Sequence, residues 1–262
     1  AISFPAAAKL YWQVWKVPLV LFLLLLLFRF ALLNTLLQRE CGTVREMRLL
    51  ALLSLCASFL LGVLLFSLVP GFLIDGVFLF QGKLFSFLSP YALLGGLATT
   101  FLFLLHSATV LSLCGWEDLA DRLTKMVPFL WVIVIFFVAA LLGWTLAIPG
   151  YIHSAVRVAF WVSLGMTVVG LTLHSVFYDQ REVLLSVLSS SILIVGGFSL
   201  FLSLLFPVLL PSTLGSGVGS ITLGNGVGGS SILRLALIPA LLVFFLLAFK
   251  TIRAIRSSNR PE

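Results

Sequence analysis

Two side chains sit where their chemistry is expensive. Arg29 lies inside VPLVLFLLLLLFRFALLNTLLQ, about ten residues from one end of the run, and His106 lies inside SPYALLGGLATTFLFLLHSATVLSL, which carries no formal charge and no other histidine. A guanidinium within a membrane-spanning run costs a few kcal/mol or more unless it snorkels, pairs or meets a water-filled cavity. Arg29 is therefore either an inner-interface snorkeller or a buried cation facing a partner, a cofactor or a proton path. Asn34 follows five residues later, too far round a helix for a clean i,i+4 contact with Arg29. His106 has three readings: a hydrogen-bonded neutral imidazole between helices, a proton relay or quinone-side group, or a metal or haem ligand. A ligand role would need a second ligand and an orienting partner, and no HxxxH or ExxH spacing occurs in this helix. These three residues, Arg29, Asn34 and His106, are the candidate proton-path or interface positions.

The remaining polar groups are placed less tellingly. Arg157 falls one turn into its segment, where snorkelling suffices. His153 and His174 fall at segment ends and read as interface residues, and Asp75 as part of a loop turn. Glu117, Asp118 and Asp121, with Arg122 and Lys125, make a solvated loop. No span contains an acid of the kind a proton-coupled transporter displays, which weighs against a small multi-span transporter, the reading from another class. GSGVGSITLGNGVGG lacks the lysine of a phosphate-binding loop and reads as a turn-rich connection. Cys41, Cys56 and Cys114 form no CxxC pair, and Cys56 and Cys114 read as packing residues. No catalytic or metal site is expected from these residues.

The elements that must hold such groups follow from composition. Of 262 residues, 61% are hydrophobic and 10% charged, with mean hydropathy +1.21. A soluble domain carries about 25% charged residues, so this is an all-α integral membrane protein. About seven apolar segments are long enough to cross a bilayer as helices: Val14–Leu36, Leu49–Ile74, Leu84–Cys114, Met126–Ile148, Ser154–His174, Val183–Leu205 and Ile232–Phe249. The third is overlong, and its SPY at Ser89–Tyr91 marks the true helix start, since proline suits a first turn. The connections QRECGTVREMR, CGWEDLADRLTK, YDQRE and the tail KTIRAIRSSNR carry about ten Lys and Arg, against about four on the other side. The positive-inside rule then places that set, and the C-terminus, in the cytoplasm. Trp12, Trp15, Trp116, Trp144 and Trp161 fall mostly near interfaces, and the net charge of +7 includes no dense basic block before the tail, so nucleic acid is not an expected partner. Gly95–Gly96 and Gly196–Gly197 suit close helix packing.

Three stretches together resemble subunit II of the cytochrome bd-type quinol oxidases. SPYALLGGLATTFLFLLHSATVLSL is similar to that family's fifth helix, "NPYALLGGL…FLLHGATFL", with Ser107 in place of its glycine and CGWEDL in place of its KTEGEL-like loop. FPVLLPSTL followed by ITLGNGVGGSSILRL resembles the family's FPxVLPST and the run entering its last helix. Phe4–Pro5, Pro18 and Arg29 match its third-helix segment, although Asn34 stands where relatives commonly carry an acid. The resemblance implies two four-helix bundles plus one extra helix, of which the seven spans here would be helices three to nine. Residues 1–80 would be the remainder of the first bundle, 81–206 the second, and 207–262 a Gly-rich outer loop, the last helix and a basic tail. The first helix, most of the second and a WDGNxVW-like stretch have no counterpart in the sequence, which raises the expectation either of another chain supplying them or of a truncated sequence.

It also implies a function. The chain would be the haem-free subunit of a heterodimeric quinol:oxygen oxidoreductase in a bacterial or archaeal plasma membrane. Haems b and d would sit in the partner, subunit I, with a bound quinone or phospholipid as further company and His106 as a histidine of the non-haem subunit. A degenerate, assembly-only paralogue is the alternative within the same class.

Overall fold

The computed structural model describes residues 5–38, 43–74, 80–82, 85–112, 117–147, 157–205, 208–210, 212 and 220–222. Six helices account for most of them: α1 Pro5–Gln38, α2 Val44–Phe66, α3 Pro90–Leu111, α4 Glu117–Ala147, α5 Arg157–Asp179 and α6 Val183–Leu205. All six are long and apolar enough to cross a membrane, the shortest spans holding 22 residues, about 33 Å at the helical rise. The seventh expected span, Ile232–Phe249, lies outside the described residues. Two short strands, β1 Val208–Leu210 and β2 Ile221–Thr222, pair antiparallel.

The helix ends follow from local chemistry. Thr43 caps α2 through a reciprocal box: its hydroxyl accepts from the Glu46 N–H at 3.3 Å, and Glu46 Oε2 accepts from the Thr43 N–H at 2.8 Å. Ser89 caps α3, accepting from the Ala92 N–H at 3.1 Å, with Pro90 in the first turn. The SPY start is thus where the sequence places it. Hydropathy alone carries the second span to Ile74, but α2 stops at Phe66. Pro70 and Gly71 break the run, Gly71 with φ 77°, and the following residues fold back as packing. Val69, Phe72 and Ile74 are buried there, and Ile74 O accepts a 2.8 Å hydrogen bond from Ser212 Oγ.

The helices pack in sequence order, α1 on α2, α2 on α3 and α3 on α4, with α5 and α6 as a close hairpin that α6 joins to α3. Glycines permit the closest approaches. A Cβ on Gly62 of α2 would stand 2.6 Å from Thr99 Oγ1 and 2.8 Å from the Gly95 carbonyl oxygen of α3, and one on Gly170 of α5 would stand 2.7 Å from the Leu193 nitrogen of α6. Of the two glycine pairs singled out by sequence, Gly95, Gly96 and Gly196 serve such contacts, whereas Gly197 faces open space within 4 Å. Helix α1 is the outlying member, with 6% of its apolar window buried. Exposed Trp12, Trp144 and Trp161 stand near the α1 start, the α4 end and the α5 start, one end of an up-and-down array, as an aromatic belt requires. Cys56, expected to pack, is exposed instead.

Candidate functional site

A cleft of about 680 Å³ opens between α1, α2 and α3 and reaches α6 at Ile194. Its walls are mostly Leu and Phe, and its polar lining is Arg29, Ser54, Ser58, Thr100, His106 and Ser107. The two residues that stood out in the sequence, 77 positions apart, therefore share one cavity. Asn34 does not line it; it is exposed on α1 beyond Arg29.

Each polar group is held by its own helix or a neighbour. Arg29 Nε donates to Ser54 Oγ at 2.8 Å, and that hydroxyl in turn donates to the Leu50 carbonyl at 2.8 Å. This contact orients the guanidinium across α1 and α2 and leaves its terminal N–H groups for whatever enters the cleft. Ser58 and Thr100 spend their protons on the Leu55 and Gly96 carbonyls, at 2.9 Å each, so toward the cleft they are acceptors.

His106 is half-buried, and its Nδ1 lies 2.9 Å from Ser190 Oγ on α6. Ser190 already donates to the Val187 carbonyl at 2.9 Å. A hydroxyl has one proton, so with that proton on the Val187 carbonyl Nδ1 is the donor in the His106–Ser190 bond and Nε2 an unprotonated acceptor. The cleft thus combines a cation with N–H groups to spare, one imidazole with a fixed tautomer, and no carboxylate among its lining residues.

Sequence reasoning missed His174. Placed at a segment end, it is in fact interior to α5, which continues to Asp179, and it is 1% exposed. Its Nδ1 lies 3.1 Å from the Ser186 carbonyl oxygen on α6, and Tyr178 stacks on it with ring centroids 6.0 Å apart. The signal was available: Val176, Phe177 and Tyr178 prolong the apolar run beyond it. Asp75, His153, Cys41 and Cys114 lie outside the described residues, as do the side chains of Arg157, Glu117, Asp118 and Asp121.

A second space, about 70 Å³, lies among α3, α4, α5 and α6 and is lined by Tyr91, Thr99, Leu141, Thr145, Thr167 and Phe201 among others. Tyr91 OH and Thr145 Oγ1 meet at 2.7 Å, and because Thr145 donates to the Leu141 carbonyl, the tyrosine is the donor.

The family model for cytochrome bd terminal oxidase subunit II matches residues 1–257. The chain belongs to that family. Comparison with curated proteins found no match. For a bd oxidase subunit II, the group whose fit must be tested is haem. Among the described residues no three His, Cys, Asp or Glu gather as ligands, and the cleft offers His106 as its single ring nitrogen, with no thioether or thiolate facing it. The other described imidazole, His174, is buried between α5 and α6, outside the cleft. Among the described residues the cleft thus offers no second axial donor for a haem held on both faces. Membership of the family makes this chain one subunit of a complex with subunit I, in a multi-pass membrane setting.

Proposed function

We propose that this chain is the haem-free membrane subunit of a quinol:oxygen oxidoreductase, that it stabilises the haem-bearing subunit I, and that it contributes to that partner's proton and quinone environment. The observation that carries this reading is the shared cleft of Arg29 and His106, a polar pocket walled by hydrocarbon in a chain whose family has its redox groups elsewhere. Haems b and d, held by the partner, would supply electron transfer and oxygen reduction. What these residues do is simpler. The Arg29 terminal N–H groups bind a carbonyl or ester oxygen of a quinone or phospholipid head, and the Leu and Phe walls take its tail. His106 Nε2 accepts a proton from water in the cleft and returns it, while Ser190 holds the ring in place.

In this reading α1 and α2 are the remainder of a first bundle within residues 1–80, α3 to α6 are the second bundle within 81–206, and the loops carrying most Lys and Arg face the cytoplasm. Affinity purification of the tagged chain from its native membrane, followed by a visible spectrum and mass identification of its companions, tests the assignment. A co-eluting subunit I with haem b and haem d absorbance is expected, and no Soret band from this chain alone. Stoichiometric haem on the isolated chain would overturn it.

A further inference from the structure

His174 is a buried imidazole that the cleft does not use. Its partner through Nδ1 is a carbonyl, which can only accept, so Nδ1 carries the ring proton and Nε2 is a bare lone pair. That Nε2 is buried and meets no donor from the protein. Buried acceptors of this kind are normally satisfied, and where the protein supplies no donor an ordered water does so. Water also needs further polar partners, and α6, which His174 meets at the Ser186 carbonyl, carries buried hydroxyls at Ser186 and Ser189 that each keep lone pairs.

His106 has the same arrangement one helical turn further along α6. Its Nδ1–H is tied to Ser190, one helical turn from Ser186, and its Nε2 is likewise unprotonated. Two imidazoles, one from α3 and one from α5, are thus tethered to adjacent turns of a single helix, with the same tautomer and both Nε2 atoms vacant. The spacing is not what packing needs, since a leucine would fill either position without stranding a polar atom.

We propose that Nε2 of His174 holds a buried water and that His174 is a second proton-accepting station of this subunit, paired with His106 one turn along α6. In the step itself an O–H bond of the protonated water breaks as the Nε2–H bond forms, the electron pair stays on oxygen, and the reverse step returns the proton to water. The Nδ1–H bonds to Ser186 and Ser190 are unchanged throughout and keep both rings in position. Titratable or charged groups described at this end of the bundle are Tyr178 and Asp179 on α5, Arg181 and Glu182 at the turn into α6, His106 on α3, Arg122 and Lys125 on α4, and Arg45, Glu46 and Arg48 on α2.

The physiological use of such a station rests on the proton-supply reading above, so two measurements separate them. The first needs no turnover: nitrogen-15 histidine spectra of the full chain in lipid nanodiscs, assigned with His174→Asn and His106→Asn. The expected result is an unprotonated Nε2 for His174 with magnetisation transfer from exchanging water, lost in His174→Asn. A protonated Nε2, or a ring with no water transfer, overturns the site. The second uses the intact oxidase complex. Asparagine retains an N–H for the Ser186 carbonyl but has no ring nitrogen to protonate, so His174→Asn should lower turnover and alter its solvent deuterium isotope effect with haem content unchanged. Wild-type turnover and isotope effect would overturn the proton role. A chain that binds water at His174 but never co-purifies with a haem subunit would sink the proposed function and leave the site standing.

Discussion

An arginine at the centre of a membrane helix costs on the order of 2.5–3.5 kcal/mol, an upper figure for Arg29, seven residues from the end of its span Leu10–Leu36. A hydrogen bond from it to a neutral hydroxyl such as Ser54 Oγ recovers about 1.5–3 kcal/mol. The two figures overlap, so the Ser54 bond brings Arg29 at best to about break-even, and the residue adds nothing to stability that a leucine would not. Arg29→Leu is expected to leave the unfolding free energy of the chain in mixed micelles unchanged or higher by up to about 1 kcal/mol, while oxidase turnover of the complex falls. Stability and turnover falling together would mark Arg29 as a packing residue. Arg29 and His106 were legible in the sequence because each breaks an otherwise apolar run, and a polar group is visible wherever its neighbours are not polar. Their meeting in one cleft was not legible, since it depends on how α1, α2 and α3 are rotated against each other, and a stripe of Leu on every face leaves rotation undetermined. His174 was hidden for a different reason. Its polarity merged with the charged turn that follows, and only the five further residues of α5 put it inside.

At the scale of helices and turns, the α5–α6 hairpin is closed by a Schellman arrangement: Glu182 N–H donates to the Phe177 carbonyl at 2.9 Å and Arg181 N–H to the Tyr178 carbonyl at 3.0 Å. That geometry places Arg181 at φ 58°, where an L-residue with a Cβ is about 1 kcal/mol or more worse off than glycine. Arg181→Gly is expected to raise stability by about 1 kcal/mol, read as a higher midpoint in denaturant unfolding; a lower midpoint would mean that the guanidinium contributes more than the backbone strain costs. The glycines give a paired test. Gly62→Ala drives a methyl onto the Thr99 hydroxyl and the α3 backbone, and should cost about 1–3 kcal/mol. Gly143→Ala on α4 meets nothing within 4 Å and should gain up to about 1 kcal/mol from helix propensity. Equal effects in the two variants would mean that the α2–α3 contact is looser than its geometry. Element positions were the most legible level, because span length and capping are local: Ser89–Pro90 set the start of α3 in the sequence as they do in the structure. The end of α2 was misplaced because hydropathy cannot separate a spanning turn of helix from an apolar fold-back, and SLVPGFLI is both apolar and broken by Pro70–Gly71.

For the molecule as a whole, the decisive property is which end of the bundle faces the cytoplasm, because protons for oxygen reduction are drawn from one side only in the proposed function. Consecutive helices alternate in direction, so the last turn of α1, the first of α2, the last of α3, the first of α4 and the Gln180–Glu182 turn share one end, while the segment around Phe80–Gly82 belongs to the other. The first end gathers Arg45, Arg48, Arg122, Lys125 and Arg181 among the described residues. Lys and Arg, whatever acids accompany them, resist translocation, so by the positive-inside rule we expect that end to remain in the cytoplasm. His106 and His174 both lie nearer this end, within about two helical turns of the last residues of α3 and α5. The orientation is open to a direct check with single cysteines in a background where Cys41, Cys56 and Cys114 are replaced. Gln180 and Gln81 are both exposed and lie at opposite ends. In intact cells a membrane-impermeant maleimide should label Gln81→Cys and spare Gln180→Cys, which should react only after permeabilisation. The reverse pattern would invert the whole assembly. It would leave the helix packing and the cleft untouched, but it would put both imidazoles at the outer face, where they could not draw the protons that oxygen reduction needs from inside the cell.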